Sequence, residues 1–88
     1  MNIKLDRAFD KDIDKINDKP LLQKLQDNIL EIKKANDIRD IKNMKKMEGY
    51  KSFYRIRIGD YRIGVRIEND TIYFIHFRHR KDIYKVFP

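Results

Sequence analysis

The chain has 88 residues, no cysteine and a formal net charge of +7. That length holds one core and no second module, so residues 1–88 read as a single domain burying about 60–65% of its unfolded surface. The lack of cysteine excludes a disulfide framework and a thiolate metal site. No apolar run approaches the roughly 18 residues of a membrane span, and no signal-peptide pattern opens the chain, so a cytoplasmic protein with no membrane partner is expected. Charged residues make up 40% and apolar residues 41%, and the apolar ones are strongly patterned, which excludes disorder. The charge is uneven. Residues 1–40 carry 9 basic and 9 acidic residues, whereas residues 41–88 carry 12 and 5. Positive charge confined to one half points to nucleic acid or another acidic partner.

Asn2–Leu5 alternates, with Ile3 and Leu5 on one side, and fits an edge strand. Asp6 suits an N-cap, and Phe9, Ile13 and Ile16 predict a short amphipathic helix over Arg7–Ile16. Asn17–Lys19 breaks it. Pro20 opens a second helix whose stripe is Leu22, Leu25, Ile29 and Ile32, ending near Ala35. Residues 38–51 show no clear period. Met44 and Met47 are expected to tuck under the sheet, while Lys42, Lys45, Lys46 and Lys51 extend the basic surface and steer anions.

The stretch from Phe53 to Tyr84 organises the rest. Three runs rich in β-branched and aromatic residues are separated by Gly59-Asp60 and Asn69-Asp70. Gly first in a two-residue loop suits a type II′ hairpin, and Asn-Asp a type I′. The predicted strands are Phe53–Ile58, Tyr61–Glu68 and Thr71–Arg78. Such short loops fix register: Ile58 faces Tyr61, Arg57 faces Arg62 and Arg55 faces Gly64. In the second hairpin Glu68 faces Thr71, Arg66 faces Tyr73, Gly64 faces Ile75 and Arg62 faces Phe77. Alternation puts Tyr54, Ile56, Ile58, Tyr61, Ile63, Val65, Ile67, Ile72 and Phe74 on a core face. The other face carries Arg55, Arg57, Arg62 and Arg66 beside Tyr73, Ile75, Phe77 and His79, and is left open over Gly64. The fold class is α+β, in the order β-α-α-β-β-β, with an antiparallel sheet packed on a helical hairpin.

The second face is poorly built for stability alone, since like charges directly opposite destabilise a sheet. It is either a solvated surface that tolerates the repulsion or a wall for a polyanion with stackable bases. Paired acids for glycoside or two-metal chemistry are missing from it. His76 and His79 have no carboxylate or cysteine in ligand spacing, the three glycines form no phosphate loop, and Ser52 is the lone serine. No metal or cofactor is therefore expected. Arginine, histidine and tyrosine remain, and they suit metal-free RNA cleavage, in which the RNA supplies its own 2′-hydroxyl nucleophile. His76 is placed on the core face as a structural residue. His79, leaving the third strand near Asp60, is the proton carrier, and Arg80 and Tyr84 fold back toward it.

The hairpin YRIRIGDYRIGV (54–65) and the closing HRKDIY (79–84), in this element order, resemble the RelE/ParE toxin superfamily of type II toxin–antitoxin systems. The resemblance covers nearly the whole chain. It implies a RelE-like microbial RNase fold and, on the favoured branch, a ribosome-dependent mRNA endoribonuclease neutralised by an acidic, RelB-like antitoxin that folds on binding. The ParE branch, a DNA gyrase poison, is the alternative, as is a non-catalytic RNA-binding module. By resemblance Arg62 stabilises the transition state, Arg80 contacts phosphate and serves as leaving-group acid, and Tyr84 orients the cut nucleotide. Arg55 and Arg57 stand where some RelE toxins carry two lysines, one of them a proposed base. Arginine is a poor base, which moves part of that role to His79. The expected RNA-binding set is Arg55, Arg57, Arg66, Lys45, Lys46, Lys51, Tyr73 and Phe77. The antitoxin is expected at an open edge of the first meander strand or at the tail.

Overall fold

In the computed structural model, which describes residues 1–88, five strands and two helices follow the chain as β1 (Asn2–Leu5), α1 (Arg7–Asp14), α2 (Lys19–Lys34), β2 (Met44–Lys46), β3 (Phe53–Ile58), β4 (Tyr61–Glu68) and β5 (Thr71–His79). Single 3₁₀ turns lie at Ile38–Asp40 and Ile83–Lys85. Neighbouring strands run β1-β5-β4-β3-β2. β1 pairs with β5 in parallel, and every other pair is antiparallel. The fold is α+β as expected, but the sheet is mixed and has one strand more than the sequence suggested.

Asp6 stands at the N-cap of α1 without a side-chain cap bond, whereas the Asp18 carboxylate accepts from the Leu21 N–H and caps α2. The helices bury Phe9, Leu21, Leu25 and Ile32 against Ile56, Ile58, Ile63, Val65, Ile72, Phe74 and Phe77. Phe9 meets Phe74 edge to face at 5.4 Å. Leu22 and Ile29, assigned to the buried stripe, are only partly covered; Leu21 takes the inward position.

Both hairpin loops form where expected. Gly59 has φ +56° and Asn69 φ +55°, while Asp70 is not in the left-handed region, so the second loop is not type I′. The register of β3 on β4 is the one read from the sequence, including Arg57 opposite Arg62 and Arg55 opposite Gly64. The second hairpin departs from it. Val65 faces Phe74 but Gly64 faces His76, so Ile75 is the extra residue of a β-bulge. Beyond it every side chain of β5 changes face. Arg62 faces Arg78 rather than Phe77, Phe77 faces Ile63 in the core, and His79 faces Tyr61.

The two faces are both covered. A second apolar cluster, Met47, Ile83 and Phe87 with Phe53 and Ile75, lies where the C-terminal segment folds over the sheet. The Phe87 ring occupies the space above Gly64 that was expected to be open; a Cβ there would sit 2.6 Å from ring carbons. The edge of β3, expected to be free, is paired with β2 at residues 54–56.

β1 accompanies β5 only as far as Phe74, which leaves the outer edge of β5, the side away from β4, without a strand partner beyond it. Asp12 of α1 fills that gap. Its buried carboxylate accepts from the Phe77 N–H at 2.9 Å, His76 Nδ1 at 2.8 Å and Arg78 Nε at 2.9 Å. Burial pushes this carboxyl up, but the three hydrogen bonds and the Arg78 charge outweigh it and hold Asp12 below the ordinary value of 3.8. His76 is thus structural, as expected, but as a partner of Asp12 at the sheet edge and not as a core residue.

Removing a buried charge partner is costly because it strands the others, so Asp12→Ala should destabilise the fold by about 3 kcal/mol or more in denaturant titrations. Because the folded value is depressed, the stabilisation is complete above the unfolded value and is lost as pH falls through the folded one. The acid limb of the stability curve should therefore be shallower in Asp12→Asn than in the wild type.

Candidate phosphate-binding site

The tight turn at Gly59-Asp60 sets the site. It places Arg57 and Arg62 directly opposite each other, and the next row on the same face holds Lys45 of β2 opposite Arg55, which in turn faces Gly64. These side chains line an open cavity of about 390 Å³ together with Asn43, Met44 and Tyr84. Asn43 has φ +61°, which asparagine tolerates better than most residues, and its carbonyl accepts from the Arg57 N–H at 3.0 Å. That bond continues the β2–β3 pairing and brings Lys45 to the wall.

No carboxylate lines the cavity, and Lys45, Arg55, Arg57 and Arg62 form none of the chain's ion pairs. Arg62 is held instead by its own turn: Nη1 donates to the Gly59 and Tyr61 carbonyls, each at 2.9 Å. Those bonds fix the fork without neutralising it, and leave the other N–H groups for a ligand. Arg55 Nη1 donates to the Tyr84 hydroxyl and its guanidinium lies 5.5 Å from the centre of that ring. Tyr84 is 52% exposed but stands on the 3₁₀ turn between two buried anchors, Ile83 and Phe87. The wall can therefore take a phosphodiester, which accepts bidentate hydrogen bonds from guanidinium groups, with an aromatic ring beside it for a base.

The remaining residues singled out from the sequence lie elsewhere. Arg66 pairs with Glu68 at 2.6 Å and stacks on Tyr73 at 4.1 Å, so this pair forms a separate, neutralised group. Phe77, expected to stack an RNA base, is 1% exposed in the core. His79, expected beside Arg57 and Arg62, is turned by the bulge toward the Tyr61 ring, 5.5 Å away, and its Nδ1 accepts from the Lys81 N–H at 3.1 Å. Arg80 is exposed in the closing turn, where its backbone N–H bonds the Asp60 carbonyl at 2.8 Å, and it does not line the cavity. Lys46 faces Tyr54 and so alternates onto the helix side; Lys51 is exposed in the loop before β3. Sequence reasoning missed Asn43 and β2. A three-residue strand leaves too short a pattern to read, and only the asparagine hinted at a special backbone position.

A family model described as the ParE toxin of the type II toxin–antitoxin system, parDE, matches residues 3–84. Toxin RelE3 of Methanocaldococcus jannaschii is 48% identical over 61 residues, which span 68% of this chain and 69% of that protein. A chain of the RelB-RelE antitoxin–toxin complex from Methanococcus jannaschii superposes with a TM-score of 0.81 at 35% identity, covering 97% of this chain and 99% of that one. A chain of the archaeal RelE-RelB complex from Pyrococcus horikoshii OT3 shares the fold, with a TM-score of 0.71 at 19% identity over 90% and 93% of the two chains. The chain therefore belongs to the RelE/ParE family of type II toxin–antitoxin toxins. Within it, the chain sits on the RelE-like branch.

Gly64 is where the tail and the sheet meet most closely. Gly64→Ala should force the Phe87 ring away, cost about 1–3 kcal/mol by overpacking, and release the segment that carries Tyr84. Limited trypsin digestion should then cut faster after Lys81 and Lys85. Unchanged stability and digestion would show that the ring does not pin the tail.

Proposed function

We propose that this toxin is a ribosome-dependent mRNA endoribonuclease that cuts through the RNA 2′-hydroxyl without a metal ion, leaving a 2′,3′-cyclic phosphate. The observation that carries this reading is the wall itself. Arg55, Arg57 and Arg62 share one face, none is tied to a carboxylate, and the chain's tail delivers Tyr84 to them. In-line attack at phosphorus builds charge on the non-bridging oxygens. Guanidinium groups fixed beforehand stabilise that charge without reorganising. A wall of cations with no acidic ligands repels a divalent cation, so the arginines take over the charge stabilisation that a metal gives in other nucleases. Arg80 would contact the RNA backbone from outside the cavity.

The related RelE chains are found in complexes with RelB antitoxins. By the same relationship, this toxin would be held inactive by a cognate antitoxin. An acidic segment ordering on the basic face would neutralise the wall and cover it. A second reading, a gyrase poison, is favoured by the ParE description of the matching family model. Trapping of linear, gyrase-bound DNA in a supercoiling assay would support it over the nuclease.

In a purified translation mixture Arg62→Ala and Arg57→Ala should each slow mRNA cleavage at least about tenfold while leaving the melting temperature near that of the wild type. Arg66→Ala, which removes a side chain already neutralised by Glu68, should cut at close to the normal rate. Normal cleavage by both wall variants would exclude the assignment.

A further inference from the structure

Cleavage through the 2′-hydroxyl moves two protons, and the wall offers few groups able to move them. Of the cavity's lining, Asn43 and Met44 do not titrate, and Arg55, Arg57 and Arg62 belong to a side-chain type that stays protonated in proteins. His79 is turned to Tyr61 and Lys81, on the other face. Two side chains remain, Lys45 and Tyr84, and they stand on either side of Arg55. Lys45 is the cross-strand neighbour of Arg55, and Tyr84 takes a hydrogen bond from its guanidinium.

Resting on the nuclease reading, we propose that Lys45 is the general base and Tyr84 the general acid of the cleavage step. The hydrogen bonding divides the roles. Arg55 Nη1 already donates to the Tyr84 oxygen, so the phenol's own proton is left to donate, and the phenolate that forms keeps a cationic partner. The Lys45 side chain makes none of the chain's hydrogen bonds or ion pairs, so its neutral amine is free to accept. The charged and titratable groups facing it are Arg55 and Arg57 of β3, Arg62 of β4 and Tyr84 of the closing turn. In the reaction the 2′-oxygen bonds to phosphorus as its proton passes to Lys45 Nζ. The bond from phosphorus to the 5′-oxygen breaks, and that oxygen takes the Tyr84 proton. The products are a 2′,3′-cyclic phosphate and a 5′-hydroxyl. Lys45 then returns a proton to Tyr84, directly or through solvent, which restores both groups.

Single-turnover cleavage of ribosome-bound mRNA at saturating toxin tests this, measured from about pH 6 to about pH 9. The wild-type rate should climb with pH, because only the neutral amine of a lysine accepts a proton. Lys45→Arg keeps the charge but replaces the amine with a group that stays protonated and so cannot act as the base. It should hold ribosome and mRNA as tightly, cut at least about 100-fold more slowly, and lose the climb. Tyr84→Phe should also fall by about 100-fold. A substrate whose scissile 5′-oxygen is replaced by sulfur needs no acid to release its leaving group, so it should rescue Tyr84→Phe and not Lys45→Arg. Lys45→Arg cutting within about threefold of wild type with an unchanged profile would overturn the proposal, as would sulfur rescue of Lys45→Arg instead of Tyr84→Phe. A wild-type protein that cuts nothing would overturn the nuclease reading itself, a result separable from the other two.

Discussion

Arg57 and Arg62 are held face to face by a loop only two residues long, and neither forms an ion pair with a carboxylate. A like-charged cross-strand pair of this kind costs a sheet some tenths of a kilocalorie to about 1 kcal/mol. A domain with the usual 5–15 kcal/mol of stability can carry that cost, but a surface needing only to be soluble has no use for it. The Gly59-Asp60 turn removes any freedom to escape: it sets the register and then grips the Arg62 guanidinium with two of its own carbonyls. A bound anion would relieve the repulsion.

The rest of the molecule leaves that wall open to solvent. On the far side of the sheet the helices supply the large core. At the β5 edge, Asp12 gathers His76, Arg78 and a backbone N–H into one buried group, so the arginine closest to the wall on β5 is drawn off it. On the near side a small apolar cluster seats the tail, and the absence of a side chain at Gly64 lets the Phe87 ring lie against the backbone. Tyr84 is thereby presented from a firmly anchored turn and not from a loose end.

Much of this was legible in the residues. Two-residue loops and strict alternation gave the β3–β4 register in full, and with it the grouping of Arg55, Arg57 and Arg62. What alternation alone does not show is an inserted residue. Along β5 a period of two predicts His76 in the core and Phe77 in solvent, and the bulge at Ile75 reverses both. The clues were there: the apolar spacing Ile72, Phe74, Phe77 breaks the period, and a glycine in the facing strand often marks a bulge. The reversal moves His79 out of the site, whereas Arg66 and Tyr73 keep their expected register and are set apart from it by the Arg66–Glu68 ion pair, a pairing set by side-chain reach. Lys45, read as steering charge and as part of the RNA-binding set, comes to the wall through β2, whose three residues form a strand because β3 offers an edge. That is a tertiary effect with no local signature.

In the proposed reading the guanidinium groups of one wall, and not basic charge in general, receive the phosphate chain. The direct measurement is an NMR titration of the arginine side-chain N–H signals with a short single-stranded RNA made uncleavable by 2′-O-methyl sugars. The signals of Arg55, Arg57 and Arg62 should shift together and saturate at one affinity, while those of Arg66 and Arg78, already bound to Glu68 and Asp12, stay in place. Shifts spread evenly over all the arginines, or confined to those outside the wall, would contradict it.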